Sequence, residues 1–359
     1  MTLSKLSVTA FRNIQHIDIQ PHATFNLIWG DNGAGKTSLL ESIYYLSCAK
    51  SFKTNLSQSV IQNDHDQLTI HGIAHYHNTN YSLGIAKNTD GTRKIHINNE
   101  KTRSIAELSC HLPTQLITTT SYRFFHDGPK FRRQLVDWGS FHMKPEYNTT
   151  WKAYQTLLKQ RNASIKSQRY SQVIQTWDSL LAEHGEKINI YRESYIKQIK
   201  PFFMELVGTL LPELPQLDIS YNKGWSQEQS LLTAIEQAYQ QDNRLGYTTK
   251  GPHRADLVIS CNQAPACEYL SQGQQKLAIT ALKLAQGKLL AIEQNRSPIY
   301  LIDDLPSELD DNKIQLICNA LIELSSQTFI TTIRSQSISQ FIQENQFSLF
   351  HMKQGRLNQ

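Results

Sequence analysis

The segment Gly30-Asp31-Asn32-Gly33-Ala34-Gly35-Lys36-Thr37 matches the phosphate-loop pattern G-x-x-x-x-G-K-[ST] in full. The apolar run 25–29 before it predicts a buried strand, and apolar residues at helical spacing over 39–46 predict a helix after it. Backbone N–H groups at such a strand–loop–helix junction point toward phosphates. We expect these residues and Ser38 to bind nucleotide phosphates, with Lys36 at the β and γ phosphates and Thr37 holding Mg²⁺.

A second element, Ile299-Tyr300-Leu301-Ile302-Asp303-Asp304, is an apolar run that ends in two carboxylates. Because it lies far downstream of a complete phosphate loop, we interpret Asp303 as a Mg²⁺ ligand and Asp304 as the residue that orients or deprotonates the attacking water. The same pattern also occurs at ordinary strand ends.

The third element is the signature segment, Leu270-Ser271-Gln272-Gly273-Gln274-Gln275-Lys276, which resembles the LSGGQ-type signature of ABC-type ATPases. Ser271, Gly273 and Gln274 would present a hydroxyl and backbone N–H groups at a helix N-terminus, which suits a γ-phosphate. In such ATPases the signature meets the ATP of the opposite subunit, which implies a head-to-tail dimer. An N-capped helix without a ligand is the alternative.

Three weaker features accompany these motifs. Ser307-Glu308-Leu309-Asp310 occupies the position of the dimer-facing D-loop. The predicted strand 328–332 carries no switch histidine, so either Thr331 or Thr332 is a candidate substitute. Gln115 is a candidate catalytic residue that couples Mg²⁺ to the helical lobe of such ATPases. The alternative, an exposed glutamine in a loop, fits the pattern equally well.

Composition is that of a folded, membrane-free chain. Of 359 residues, 39% are hydrophobic and 19% charged, and no apolar run approaches the length of a membrane span. The start of the chain looks like a strand rather than a signal peptide. Five scattered cysteines without CxxC spacing fit reduced thiols, so we expect a cytoplasmic protein.

The distribution of pattern types predicts the domain organisation. Strand-like alternation marks residues 1–10 and 67–99, with a hairpin turn at Asn88-Thr89-Asp90-Gly91, whereas residues 146–210 show helical periodicity. One amphipathic helix is predicted there from the stripe Val173, Trp177, Leu180, His184, Ile188, Tyr191 and Tyr195, and Pro212 and Pro215 end the next helix. We expect an α/β fold, an ABC-type P-loop ATPase head of mixed sheets plus helices with an inserted helical arm. The predicted parts are the N-terminal head at 1–120, the arm (lobe II) at 121–245 and the C-terminal head at 246–359.

Positive charge is concentrated in one segment. Residues 121–170 carry ten Lys and Arg against three acids, a net +7, whereas the whole chain is +5. On the helix predicted there, polar and basic residues form one stripe, and this predicts binding to the DNA backbone. Beside it runs an apolar stripe formed by Tyr147, Trp151, Tyr154, Leu158 and Ile165. A solvated helix face is the alternative. The residues that we expect to bind DNA are Lys152, Lys159, Lys166 and Arg169.

Two basic pairs remain open to two interpretations. His253 and Arg254 follow a Gly-Pro turn and either contact DNA or nucleotide, or lock the arm to the head; the pattern slightly favours the structural role. Arg132 and Arg133 either contribute to DNA binding or are buried partners of carboxylates, and the pattern fits both interpretations equally.

With these motifs, the chain resembles the RecF family of SMC-like ATPases almost end to end. The resemblance rests on the three motifs and on strings placed along the chain: Phe11-Arg12-Asn13, Ser51-Phe52-Lys53-Thr54, Gly128-Pro129-Lys130-Phe131-Arg132-Arg133, Lys159-Gln160-Arg161-Asn162 and Gly251-Pro252-His253-Arg254-Ala255-Asp256. In two places the chain departs from the family pattern. Gln272 stands where the family usually has Arg, and Lys50 and Lys53 stand where it usually has Arg.

The resemblance implies ATP and Mg²⁺ as cofactors, an ATP-dependent homodimer, and binding to double-stranded DNA or to single-strand/double-strand junctions. It also implies slow, DNA-stimulated ATP hydrolysis for release, and work with RecR and RecO to help RecA loading in recombinational repair and replication-fork maintenance. Two alternatives are an SMC-like ATPase coupled to a nuclease and a nucleotide-binding scaffold without turnover.

Overall fold

The computed structural model describes residues 1–54, 57–167, 172–214, 216–307 and 309–358. Its strands are β1 (Thr2–Phe11), β2 (Ile14–Ile19), β3 (Phe25–Trp29), β4 (Gln67–Tyr76), β5 (Thr79–Asn88), β6 (Arg93–Ile97), β7 (Glu100–Thr102), β8 (Thr114–Ile117), β9 (Leu217–Asn222), β10 (Asp256–Cys261), β11 (Ala264–Pro265), β12 (Ile299–Ile302), β13 (Thr328–Thr332), β14 (Phe347–Lys353) and β15 (Arg356–Asn358). Its α-helices are α1 (Lys36–Cys48), α2 (Ile105–His111), α3 (Arg123–His126), α4 (Pro129–Met143), α5 (Tyr147–Lys166), α6 (Gln172–Leu210), α7 (Leu231–Gln237), α8 (Tyr239–Leu245), α9 (Gln272–Gln294), α10 (Asp311–Glu323) and α11 (Gln336–Ser339).

Contacts divide the chain into two compact units. Unit 1 comprises residues 1–121 and 280–359, and unit 2 comprises residues 122–279. The return to the head is predicted from the sequence at residue 246, whereas the contacts place it at residue 280. The difference arises because β10, within residues 246–279, pairs along its whole length with β9 and packs against α4, so this segment is part of unit 2.

Unit 1 is built around a sheet whose order is β15-β14-β3-β13-β12-β8. The five strands from β14 to β8 run parallel, and β15 is antiparallel at the edge. The three central strands, β3, β13 and β12, are short and contain no exposed residue, as expected where a sheet is covered on both faces. The carboxyl ends of β3, β13 and β12 therefore lie side by side, where ligands bind in open α/β sheets.

A second sheet of unit 1 is antiparallel, in the order β2-β1-β4-β5-β6-β7. Leu6, Val8 and Ala10 on β1 are buried, as their alternation predicts. The predicted hairpin is also confirmed, since β5 pairs with β6 and Gly91 donates its N–H to Asn88 O at a positive φ of 86°. The buried face of this sheet and the apolar face of α1 share one hydrophobic core, which fixes the helix that follows the phosphate loop.

Unit 2 consists of the helices α3 to α8, the first turns of α9, and a small antiparallel sheet in the order β11-β10-β9. The periodicity predicts two helices between residue 173 and Pro212, but α6 is one helix of 39 residues that continues through Pro201. An internal proline costs about 3 kcal/mol. The apolar face buried on both sides of it, with Ile199 and Phe203 fully covered, outweighs that cost.

The buried face of α6 also differs from the predicted stripe. Leu180, which the stripe includes, is 42% exposed, whereas Asp178, Leu181 and Arg192 are buried. The difference has a physical cause, since two charged residues on this face have ion-pair partners within unit 2. No helix in the part of the chain that the structure describes is long and apolar enough to cross a membrane.

Candidate nucleotide-binding site

The phosphate loop connects β3 to α1 and has the backbone that its glycines permit. Gly30 has a φ of 145° and Gly35 a φ of 106°, values that other residues rarely adopt. A Cβ atom at Gly30 would lie 2.2 Å from Met352 O on β14. Hydrogen bonds from Gly355 N to Ala34 O (2.8 Å) and from Asn13 Nδ2 to Gly33 O (3.3 Å) hold the loop from outside.

Lys36 lies at the start of α1 with its side chain folded into the loop. Its Nζ donates to the carbonyl oxygens of Gly30 (2.7 Å) and Asp31 (2.9 Å). Burial lowers the pKa of this ammonium group, and the nearby carboxylates of Asp304, Asp303 and Asp31 oppose that shift. The two carbonyl oxygens that Lys36 Nζ contacts are therefore acceptors that phosphate oxygens can replace.

The two carboxylates lie at the end of β12, beside this loop. Thr37 Oγ1 donates to Asp303 Oδ1 at 2.9 Å, and Thr331 Oγ1 donates to the same oxygen at 2.7 Å. Asp304 follows in a left-handed conformation with φ 56°, and its N–H donates to Thr331 Oγ1 at 2.8 Å. Thr37 and Thr331 lie 266 and 28 positions from Asp303 in the sequence, and their hydroxyls thus converge on one oxygen of its carboxylate.

A cavity of about 840 Å³ opens over these groups, within the range of roughly 300–1,000 Å³ that small-molecule pockets occupy. Most of the phosphate loop lines it, together with Asp303, Asp304 and Thr331. Further lining comes from residues that motif reasoning did not place in the site, namely Arg12, Asn13, Lys53, Ser59, Ile61, Gln62, Asn63, Asp64, Thr119 and Ile333.

An ion pair that the motifs do not predict lies at the rim of the cavity. Arg12 donates from Nε and Nη2 to both oxygens of Glu41, at 3.0 and 2.8 Å, and from Nη1 to Ser59 O at 2.6 Å. Glu41 is fully buried on α1 and is also bonded by the Ser51 hydroxyl. The string Phe11-Arg12-Asn13 carries the family resemblance, but only the fold reveals that Arg12 joins Ser51 and Ser59 to Glu41 on α1.

Gln115 does not occupy the predicted position. It is 5% exposed on β8, where it pairs with Tyr300, and its Nε2 donates to Gln286 Oε1 at 3.1 Å. Tyr300 precedes Asp303 by three residues, about 10 Å along a strand. Gln115 is therefore a core residue rather than a loop residue, and Thr119 is the residue of this segment that lines the cavity.

The signature segment forms the start of α9 in unit 2. Ser271 and Gln274 make reciprocal bonds, since Gln274 N–H donates to Ser271 Oγ (3.3 Å) and Ser271 N–H donates to Gln274 Oε1 (3.0 Å). This arrangement is a capping box. Ser271 and Gln272 are exposed and Gly273 is partly exposed. In the D-loop, Asp310 caps α10 through Lys313 N–H, and Glu308 lies outside the described residues.

The predicted DNA-binding helix is α5. Lys152, Lys159 and Lys166 are exposed on it, seven residues apart, while Tyr147, Tyr154, Leu158 and Ile165 are buried as predicted. Arg169 lies outside the described residues. The spacing of seven residues places the lysines on one face at intervals of roughly 10 Å.

The net charge of residues 121–170 overstates the charge on the surface, because two of its arginines, one buried and one partly buried, pair with acids from elsewhere in unit 2. Arg132 makes two hydrogen bonds to the Asp256 carboxylate, at 2.7 and 3.0 Å. Arg161 is fully buried and contacts Asp178 and Asp242, each at 2.6 Å. Of the pair left open by the sequence, Arg132 is thus paired with a carboxylate, and Arg133 donates to Ala255 O at 2.8 Å.

His253 and Arg254 make contacts within unit 2. His253 Nδ1 lies 2.6 Å from the Tyr154 hydroxyl, and its Nε2 lies 3.0 Å from Thr248 O. The Arg254 guanidinium lies over the Tyr247 ring, 4.9 Å from its centroid. Both residues thus make structural contacts within unit 2, and the predicted link between the arm and the head stays a prediction.

Comparisons with known proteins match this arrangement along the whole chain. The profile of the RecF/RecN/SMC N terminal domain family matches residues 2–358. The chain is 40% identical to the DNA replication and repair protein RecF of Pseudoalteromonas translucida, with 99% of each chain covered. It is 41% identical to the protein of the same name from Coxiella burnetii, with 99% of this chain and 98% of the relative covered.

The chain belongs to the RecF family. Its fold agrees with a solved structure of the recombination mediator protein RecF with ATP in the RecFOR pathway, with a TM-score of 0.87 and 25% identity over 99% of this chain and 97% of that one. The Smc head domain of Pyrococcus furiosus shares the fold, with a TM-score of 0.59 and 17% identity over 99% of this chain and 95% of that one. The predicted α/β ATPase-head fold is thereby confirmed.

A nuclease centre coupled to the ATPase would need metal-ligating side chains of its own. In the described ranges, no group of three or more His, Cys, Asp or Glu side chains is close enough to hold a metal ion. The nuclease-coupled alternative therefore gains no support from the described residues.

Proposed function

We propose that this chain is an ATP-dependent DNA-binding protein of recombinational repair and replication-fork maintenance. ATP drives its dimerisation on double-stranded DNA or on single-strand/double-strand junctions, slow DNA-stimulated hydrolysis releases it, and it works with RecR and RecO to help RecA loading. One observation carries the proposal. Most of the phosphate loop and two acidic residues line one cavity, in a chain 40% identical along its length to the RecF protein of Pseudoalteromonas translucida.

ATP fits the cavity through its phosphates. The loop and the N-terminus of α1 supply backbone N–H groups, and Lys36 exchanges its two carbonyl partners for phosphate oxygens. Burial lowers the pKa of Lys36, and the carboxylates around it oppose this shift, which favours the charged form that this role needs.

Mg²⁺ fits the oxygen atoms beside the loop, since hydroxyl and carboxylate oxygens are the donors this ion prefers. Thr37 and Asp303 would hold it, and their oxygens lie 2.9 Å apart. When bound, the ion neutralises charge on the phosphates. Asp304 lines the same cavity, and we assign to it the orientation and deprotonation of the attacking water.

The signature segment is the proposed second half of the site. Ser271, Gly273 and Gln274 lie at an exposed or partly exposed helix N-terminus, where an anion binds favourably. In the head-to-tail dimer that the family resemblance implies, they contact the ATP of the partner subunit. Gln272 brings no positive charge to this contact, so the dimer is expected to be weaker than one with Arg at this position.

For DNA, the exposed lysines of α5 supply point charges to backbone phosphates. They carry no sequence information, so binding depends on DNA shape and charge rather than on base sequence. This role rests on Lys152, Lys159 and Lys166, because Arg161 on the same helix is already paired within the fold.

Fluorescence anisotropy on gapped duplex DNA tests the proposal. Binding with ATP should be tighter than with ADP, and should weaken steeply as salt rises because phosphate contacts release counterions. Phosphate release should rise when DNA is added. Equal affinities with ATP and ADP, or a flat salt response, would refute the proposed switch, and cleavage of labelled DNA with Mg²⁺ or Mn²⁺ would favour the nuclease-coupled alternative.

A further inference from the structure

Thr331 makes an unusual pair of contacts at the end of β13. Its side chain is 1% exposed. The hydroxyl donates to Asp303 Oδ1 at 2.7 Å and accepts the Asp304 N–H at 2.8 Å. A hydroxyl has one proton, so its donor capacity is used by Asp303.

These contacts control the two acidic residues in different ways. Asp303 Oδ1 receives hydroxyls from Thr37 on one side and Thr331 on the other, which fixes the direction of the carboxylate. Asp304 has a φ of 56°, a conformation that side-chain-bearing residues seldom adopt. The bond from its N–H to Thr331 helps to hold that conformation, and with it the direction in which the Asp304 side chain leaves the backbone.

Thr332 is the natural comparison, since it is the same residue type on the same strand and equally buried. Its hydroxyl contacts Arg334 O at 3.1 Å and the Ser337 hydroxyl at 3.0 Å. Neighbouring residues of a strand point to opposite faces, so only one of the two threonines can reach the carboxylates.

We propose that Thr331 is a positioning residue for ATP hydrolysis. Its hydroxyl orients the Asp303 carboxylate that would hold Mg²⁺. It also holds the Asp304 backbone, so that the Asp304 carboxylate can orient the water that attacks the γ-phosphate. The proposal rests on the function proposed above. It resolves the choice between Thr331 and Thr332 that the sequence left open, and it replaces the idea of a switch-histidine substitute with a role exerted through the two aspartates.

The test compares Thr331→Val, which removes the hydroxyl at nearly constant shape, with Thr331→Ser, which keeps it, and with Thr332→Val. Loss of a group that orients a metal ligand costs about 10- to 100-fold in activity or metal affinity. Thr331→Val should therefore lower kcat for phosphate release by that factor and raise the Mg²⁺ concentration needed for half-maximal ATP binding. ATP affinity at saturating Mg²⁺ should change little.

Thr331→Ser should restore both quantities to near the wild-type values, and Thr332→Val should leave both unchanged. Circular dichroism checks that the variants fold, and Thr331→Ser tests the hydroxyl even where valine perturbs folding. A wild-type kcat and Mg²⁺ requirement in Thr331→Val, or equal loss in Thr332→Val, would overturn the proposal. If the wild type binds ATP but releases no phosphate, the proposed hydrolysis fails, and the Mg²⁺ requirement alone still tests the positioning role.

Discussion

Acidification should destabilise unit 2 through His253. Its Nε2 faces Thr248 O, which can only accept, so Nε2 carries the proton and Nδ1 accepts from the Tyr154 hydroxyl. Burial is the main reason why the pKa of this imidazole is lowered from 6.5 to about 4, and the nearby positive charges of Arg254 and Arg133 lower it further. The neutral ring is therefore the form that the fold accommodates.

The lowered pKa of His253 determines how the free energy of unfolding changes with pH. A group with a depressed pKa in the folded state contributes stability above its unfolded pKa and loses it as the pH falls toward the folded pKa. The window here runs from pH 6.5 down to about 4. A shift of this size amounts to about 3 kcal/mol in full, of which about 2 kcal/mol is lost by pH 5.

Urea unfolding at pH 7.5 and pH 5, followed by tryptophan fluorescence, measures this loss. Four of the five tryptophans, Trp138, Trp151, Trp177 and Trp225, lie in unit 2, so the signal reports mainly on that unit. The control is His253→Gln, whose amide stays neutral across the range. Wild type should lose about 2 kcal/mol more than the variant between the two pH values. Equal losses would refute the reasoning.

Three further perturbations have outcomes that the structure predicts. Arg161→Met leaves two buried aspartates without a cation, so urea unfolding should show a loss of about 3–5 kcal/mol, against less than about 0.5 kcal/mol for the exposed Lys159→Met. Gly30→Ala should abolish ATP binding in calorimetry, because its Cβ would lie 2.2 Å from a carbonyl oxygen, whereas Gly33→Ala, with open space around it, should lose no more than about tenfold. A triple variant replaces three lysines of α5 by glutamine, namely Lys152, Lys159 and Lys166. It should reduce the slope of log affinity for DNA against log salt concentration by about 3. An unchanged slope would exclude α5 as the DNA contact.

Local patterns predicted the parts of the fold that local chemistry decides. The phosphate loop needs glycine at positions with positive φ and an apolar strand before it, and both features are visible in the residues 25–37. The hairpin at Gly91 and the alternating burial of β1 follow equally from short-range rules. These elements were identified without knowledge of their partners.

Contacts between distant residues account for the differences. The buried face of α6 was misread because Arg192 is a core residue only in the presence of Asp137, 55 positions away, with which it forms a 2.6 Å ion pair. Gln115 was misread because its partner Gln286 belongs to α9. Thr331 and Thr332 look alike in the sequence, since every residue of β13 is buried, and only the neighbour Asp303 distinguishes them.

The central claim is that ATP acts as a dimerisation switch whose site is completed by the signature of a second subunit. Light scattering on the variant Asp304→Asn with ATP and Mg²⁺ tests it, because asparagine tolerates the left-handed backbone and removes the carboxylate expected to activate water. The mass should double from the 41.1 kDa of one chain, and adding Ser271→Arg to this variant should return it to one chain. A single-chain mass for Asp304→Asn at saturating ATP would contradict the account.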